Sequence, residues 1–248
     1  MAITMVRNVN ALDRGLVLAP ERYDVRRMMG NAGGSHLRLA DLVYPQRKTV
    51  KPTDPIGDCL ILDTSDAQEG VVIARKAPVP GSSLGSNKKI AESNDVIISR
   101  LRPYLRQVAL IDEDLVQDAL IACSTEFFVL RPLEGQDIAF LVPYLLTASV
   151  QKVLAVSQEG GHHPRFNEGV LLGLPVPAAL YKRRDEISKS VREGIRLYRG
   201  FQRRIAGCIS EVTRALDEAE DPRTVRRASL RGAATERLAS RANAESAR

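Results

Sequence analysis

The chain has 248 residues, 44% hydrophobic and 27% charged, with aromatics at 4% and no Trp. That is enough for one well-buried domain plus an extension, or for two small domains, with an aliphatic core. The formal charge of +6 is uneven: residues 181–248 hold 17 Lys and Arg against 10 Asp and Glu, and residues 1–180 hold 19 against 20. The body is therefore not broadly basic, which argues against a protein that coats polyanions non-specifically.

Three cysteines, Cys59, Cys123 and Cys208, lie far apart at no metal-like spacing. They read as reduced thiols. The opening "MAITMVRNVNALDRG" has no long apolar run, and no stretch approaches the roughly 20 apolar residues of a membrane span. A cytoplasmic location without membrane attachment is expected.

Along the chain, residues 1–35 include the Gly-rich turn region "MMGNAGGSH". Short β-like segments follow: "CLILDT" (59–64), "GVVIARK" (70–76), "DVIIS" (95–99), "QVALI" (107–111) and "STEFFVLRP" (124–132). Breaker-rich loops separate them: "KPTDPIGD", "APVPGSSLGSNKK" and "RPLEGQ". "DIAFLVPYLLTASVQKVLAVS" (137–157) has helical spacing, with Pro143 near the start of its main helix. "QEGGHHPRFNEGVLLGLPVPAAL" reads as a loop, a short helix and an extended "LPVP". Strands and helices mix without βαβ regularity, so residues 1–180 are expected to form an α+β domain.

From Lys182 to Glu218 there is no proline. Apolar residues recur at Ile187, Val191, Ile195, Tyr198, Phe201, Ile205, Ile209, Val212 and Leu216, in steps of three and four. A long helix over 181–220 follows, and its stripe must be buried against something; its length favours an intermolecular coiled coil over an intramolecular helix. The basic tail 221–248 reads as a weak helix or a disordered segment.

Residues 71–110 carry Arg75, Lys76, Lys88, Lys89, Arg100, Arg102 and Arg106 against Glu92 and Asp95, whereas 111–140 carry seven acids against Arg131. In "SRLRPYLRQ", Arg100, Arg102, Tyr104 and Arg106 alternate with apolar residues. In an extended chain they would share one face. Arginine suits phosphates and guanine edges. Pro103 divides the stretch, putting the arginines on a bend or strand end. Lys88 and Lys89 sit upstream. The alternative is a solvated strand edge whose arginines pair with the acids of 112–118. "GGHHPRF" offers His162, His163 and Arg165 as DNA contacts or as a structural turn; adjacent histidines make a poor metal site. "GSSLGSNKK" lacks the spacing of a phosphate-binding loop and reads as a flexible surface loop, with contact to DNA phosphates through Ser, Asn and backbone N–H groups as the alternative. "STEF" has no nucleophile-elbow context and reads as the start of a strand.

Four stretches in order, "LILDTSDAQEGVV", "NDVIISRLRPYLRQVALI", "CSTEFFVLRP" and "YLLTASVQKVLAVSQEGGHHPRFNEGVLLGLPVPA", followed by the long helix, resemble the specificity subunits of type I restriction–modification systems. The resemblance covers roughly residues 36–218. It implies a target-recognition domain that reads one half of a split double-stranded DNA site, and a helix that spaces two such domains and docks the methyltransferase subunit. The family carries two units, and this sequence has one copy of "STEF" and of "RLRPYL". It also has "AALYKRRDEI" where the family has a "Q…I" pattern. The resemblance thus implies pairing through the helix with a second copy or a second specificity chain. No methyltransferase tetrapeptide, S-adenosylmethionine loop, Walker motif, zinc spacing or nuclease-like carboxylate pair is present, so the chain is expected to be non-catalytic. S-adenosylmethionine is expected on the partner. The competing expectation is an assembly subunit that scaffolds a complex without reading sequence.

Overall fold

A computed structural model describes residue 8 and residues 37–73, 76–115, 119–160 and 163–220. The Gly-rich stretch before residue 37 and the tail 221–248 lie outside the described residues. In chain order, strands β1 (Leu37–Arg38), β2 (Val43–Pro45), β3 (Thr49–Val50), β4 (Asp58–Leu62), β5 (Ala67–Gln68), β6 (Val71–Val72), β7 (Val79–Pro80), β8 (Lys88–Ala91), β9 (Val96–Ser99), β10 (Val108–Leu110), β11 (Leu120–Cys123) and β12 (Phe127–Pro132) come first. Helices α1 (Leu141–Leu146), α2 (Ala148–Val156) and α3 (Glu168–Leu172) follow, then β13 (Pro175–Val176), α4 (Ala178–Lys182) and α5 (Arg184–Glu220). The class is α+β, with mixed sheets leading into a long helix.

Two sheets and a layer of helices stack because the middle sheet is apolar on both faces. That sheet is antiparallel in the order β10-β9-β12-β2. "VIIS" of β9 and "FFVL" of β12 are continuous apolar runs, as a strand covered on both sides requires. Val96, Ile98, Val108, Leu110, Phe128 and Leu130 face one way, against Leu141, Leu145, Val150 and Leu154 of the helices. Ile97, Ala109, Phe127 and Val129 face the other way, against Leu60, Leu62, Ile121 and Cys123. The latter four belong to the second sheet, ordered β3-β8-β11-β4-β7, in which only the β11–β4 pair is parallel. Each fully buried aliphatic side chain here contributes about 1.5–3 kcal/mol.

The expected strands at 95–99, 107–111 and 124–132 are present, shortened at their ends, and that expected at 59–64 runs from Asp58 to Leu62. Residues 70–76 supply only β6, and Gly70, Ile73 and Lys76 lie outside any strand. The expected surface loop 81–89 gives way at Lys88, where β8 begins and pairs with both β3 and β11. The helical pattern of 137–157 resolves into two helices. Thr147 turns extended (φ −62°, ψ 146°) between them and caps α2, its hydroxyl accepting from the Val150 N–H at 3.5 Å. The short helix and the extended "LPVP" are α3 and β13. Asn167 caps α3 by accepting from the Val170 N–H at 2.9 Å, and β13 pairs with β1.

Helix α5 starts inside the core. Ile195 is 5% exposed, and Ile187 and Val191 pack beside it on the helix-side cluster. Ser188 Oγ accepts from the Phe140 N–H at 3.1 Å. Arg192 grips Asp137 with two hydrogen bonds (2.6 and 2.9 Å) and reaches Asn94 Oδ1 at 2.5 Å. Burial raises the Asp137 carboxyl, but the Arg192 contacts outweigh it and hold it below its usual range. Two compact units result, one ending at Ile195 and the second starting at Arg196. The division therefore falls inside the helix. In the second unit Phe201, Ile209, Val212 and Leu216 are each more than half exposed, and Ile205 is also exposed.

Candidate nucleic-acid interface

The β9–β10 hairpin closes with a tight, strained turn. Its last ladder bond runs from the Ser99 N–H to the Gln107 carbonyl at 2.9 Å. Beyond it Pro103, whose φ is fixed and which has no N–H, opens a single 3-10 turn over Pro103–Leu105. The Leu105 N–H donates to the Arg102 carbonyl and the Arg106 N–H to the Pro103 carbonyl, at 2.9 and 2.8 Å. Arg102 and Arg106 on either side adopt left-handed φ values of +45° and +53°. For non-glycine residues such conformations cost on the order of 1–3 kcal/mol each and persist only where the surroundings over-determine them. The expected face-by-face alternation of Arg100, Arg102, Tyr104 and Arg106 is thus not realised; the bend expected from Pro103 is.

The surroundings that fix the turn are ionic. Arg100 follows β9, and its N–H donates to the Glu126 carbonyl at 3.0 Å. Its Nε meets Glu126 Oε2 at 2.7 Å. Arg165, far along the chain, meets the same carboxylate through Nε at 2.9 Å and through its terminal nitrogen at 2.7 Å. The Arg165 hydrogen bonds first, working against burial and helped by Arg100, hold the Glu126 carboxyl at about 2. Glu159 and Arg165 pair through two backbone bonds of 2.9 Å. The Phe166 N–H then donates to the Arg100 carbonyl at 3.2 Å, joining this loop to the turn. Gly160 supplies the φ of +99° that the loop needs. At the other end of the turn, Arg106 bonds Glu69 Oε1 at 2.9 Å and the Leu146 carbonyl at 3.0 Å. The carboxylates engaged by Arg100 and Arg106 are thus Glu126 and Glu69, from outside the expected 112–118 cluster.

The fold gathers "RLRPYLR" and "HPR" at one end of the middle sheet, although some 60 positions separate them. Arg102 is exposed, and its guanidinium has no hydrogen-bond partner among the described residues; Tyr104 is 69% exposed. His163 is exposed, and its carbonyl accepts from Arg165 at 3.0 Å. His162 lies outside the described residues. Lys88 and Lys89 are half-buried because β8 is an interior strand. Lys89 Nζ donates to the Phe127 carbonyl at 2.6 Å and lies over the Phe128 ring; burial, then the charge of Arg100, pull it below its ordinary value. Lys88 lies 3.8 Å from Asp63. The two lysines thus contribute positive charge from within the sheet. Thr64, Ser65, Leu101, Arg102, Leu105, Gln107, His163 and Pro164 line an open groove of about 420 Å³ beside the turn.

No protein-family model and no curated protein matches the chain. Solved structures do. One is a chain from a structure of the complex assembly and conformational transition of the type I R-M system: 26% identity, TM-score 0.51, covering 75% of this chain and 49% of that one. Another is the HsdS subunit from Thermoanaerobacter tengcongensis, at 24% identity and TM-score 0.49, covering 74% of this chain and 47% of that one. The chain spans about half the length of these solved chains.

Sequence reasoning missed Glu126, the carboxylate on which the turn and the loop converge. "STEF" was visible as the start of a strand, and Ser124 does satisfy backbone there, its hydroxyl accepting from the Glu126 N–H at 3.3 Å. Nothing in the local pattern says that two distant arginines meet at that Glu. Thr64, Ser65 and Gln107 were missed for the same reason. Burial pushes the Cys123 thiol up to about 12. Among the described residues no cluster of His, Cys, Asp and Glu is placed to hold a metal ion, and no helix is long and apolar enough to cross a membrane.

Proposed function

We propose that this chain is a DNA sequence-specificity factor of the type I restriction–modification kind. It binds one half of a split double-stranded site and directs a partner DNA methyltransferase, in restriction–modification or a related phage-defence system. The observation that carries this reading is the convergence of the strained 100–106 turn with the 163–165 loop, in a fold resembling a chain of the type I R-M system. Arg102, Tyr104 and His163 are exposed there and supply the cation and ring chemistry that duplex grooves and phosphates take. The chain itself is non-catalytic. Methyl transfer, with S-adenosylmethionine, belongs to the partner, which extrudes the target base.

The second half-site is read by another recognition module, carried by a second copy of this chain or by a second specificity chain. The exposed apolar stripe from Phe201 to Leu216 serves that pairing. The same stripe favours one alternative, an assembly subunit that binds partners without reading sequence. Co-purification of the tagged chain with its partners, followed by mapping of methylated bases, separates the two. The specificity reading expects methylation at one two-part motif, lost when the chain is omitted. Methylation whose motif is unchanged by the chain's omission leaves only the assembly role.

A further inference from the structure

We propose that the groove beside the turn is the base-reading site, with Arg102 and Gln107 as specificity-determining residues and Arg100, Arg106 and Arg165 as positioning residues. This deepens the DNA-specificity reading and rests on it.

The arginines divide by what already holds them. Arg100 and Arg165 share Glu126, and Arg106 is spent on Glu69 and the Leu146 carbonyl. Arg102 has neither kind of partner among the described residues, yet its backbone is fixed in a left-handed conformation by the bonds on both sides of it. A cation that only neutralises phosphate needs no such fixing. A guanidinium that reads O6 and N7 of guanine needs a defined origin and direction.

The neighbours point the same way. Phosphate oxygens only accept hydrogen bonds, whereas base edges present donors and acceptors side by side. Gln107, Thr64 and Ser65, which line the groove with Arg102, each donate and accept. Gln107 is anchored by the last ladder bond of the hairpin, and its amide makes no hydrogen bond among the described residues. Thr64 and Ser65 sit in a 3-10 turn pinned by Asp66, which accepts from the Asp63 N–H at 2.7 Å and from Lys76 at 2.5 Å. Leu101, Leu105 and Pro164 supply apolar surface of the sort a thymine methyl meets. Arg102 would take a guanine and Gln107 an adenine close to it.

The test selects bound sequences from a randomised duplex DNA pool with the full chain, as wild type, Arg102→Ala, Arg102→Lys and Gln107→Ala. Melting temperatures establish that each variant folds. The expected result is a wild-type motif with one position relaxed in both Arg102 variants and a nearby position relaxed in Gln107→Ala. Affinity for the wild-type motif should fall roughly 5- to 150-fold. Lysine keeps the charge and loses the fork, so Arg102→Lys separates reading from neutralisation. An unchanged motif, bound uniformly more weakly with a shallower salt dependence, makes Arg102 a phosphate contact and overturns the proposal alone. Unchanged binding by every variant overturns it too. A wild-type selection that enriches no motif overturns the DNA-specificity reading, and this assignment with it.

Discussion

Glu126 serves two guanidiniums from distant segments that are also joined by the Phe166 N–H bond to the Arg100 carbonyl. Its carboxyl is held at about 2 against an ordinary 4.5, so its contribution is complete above about pH 4.5 and is lost as the pH falls towards 2. The two arginines are each more than a third exposed on their side chains, so screening leaves ~2 kcal/mol of the pairing energy. Glu126→Gln is expected to cost about that much at pH 7 in urea denaturation. The gap to wild type should narrow as the pH is lowered through 4 towards 3. A gap independent of pH would mean that charge is not what Glu126 provides. A more deeply buried pair closes the opposite end of the β9–β12 ladder. Asp95 is 1% exposed and takes two hydrogen bonds from Arg131, at 2.9 and 2.8 Å. Arg131→Ala leaves that carboxylate buried without its counter-charge and is expected to cost about 3–5 kcal/mol by the same measurement. Both pairs join residues more than 25 positions apart, so neither could be read from spacing. The composition showed basic 71–110 beside acidic 111–140, but not which charges meet.

At the scale of elements, the sequence showed strands wherever an apolar run was long enough to be buried on both faces, as in β9 and β12. It hid the short ones. β8 carries two lysines and reads as loop, and β11 is a four-residue run beside acids; both become strands because neighbours on each side pair with them. Thr147 likewise breaks an apolar pattern that periodicity alone runs straight through. One glycine decides an element's position. Gly70 has φ +106°, bonds the Val108 carbonyl, accepts from Leu110, and leaves only 3.0 Å between an added Cβ and Val142. Gly70→Ala is expected to lose more than about 1 kcal/mol and to loosen the β5–β6 hairpin from β10. Hydrogen exchange at the Gly70 and Leu110 amides reads this directly. Faster exchange confined to those strands is the expected pattern.

For the whole molecule, the α+β class and the long helix were legible because alternation and helical period survive without tertiary context. The division at Ile195 was not, because one uninterrupted stripe serves two purposes. Ile187, Val191 and Ile195 are used by the domain's own core, and Phe201 onward is left exposed. On the proposed pairing of two copies through this stripe, Ile209→Glu with Leu216→Glu is expected to abolish self-association in sedimentation while leaving the melting temperature of the domain unchanged. Ile195→Ala is expected to do the reverse, lowering stability by about 2–5 kcal/mol as a buried aliphatic truncation does. The same arrangement governs how this domain can be excised or grafted. A cut at the end of the last strand, where the fold looks finished, would remove Ser188, Arg192 and Ile195 and leave the Phe140 N–H, Asp137 and the helix-side core without their partners. A transplantable cassette must take the opening three turns of the rod with it.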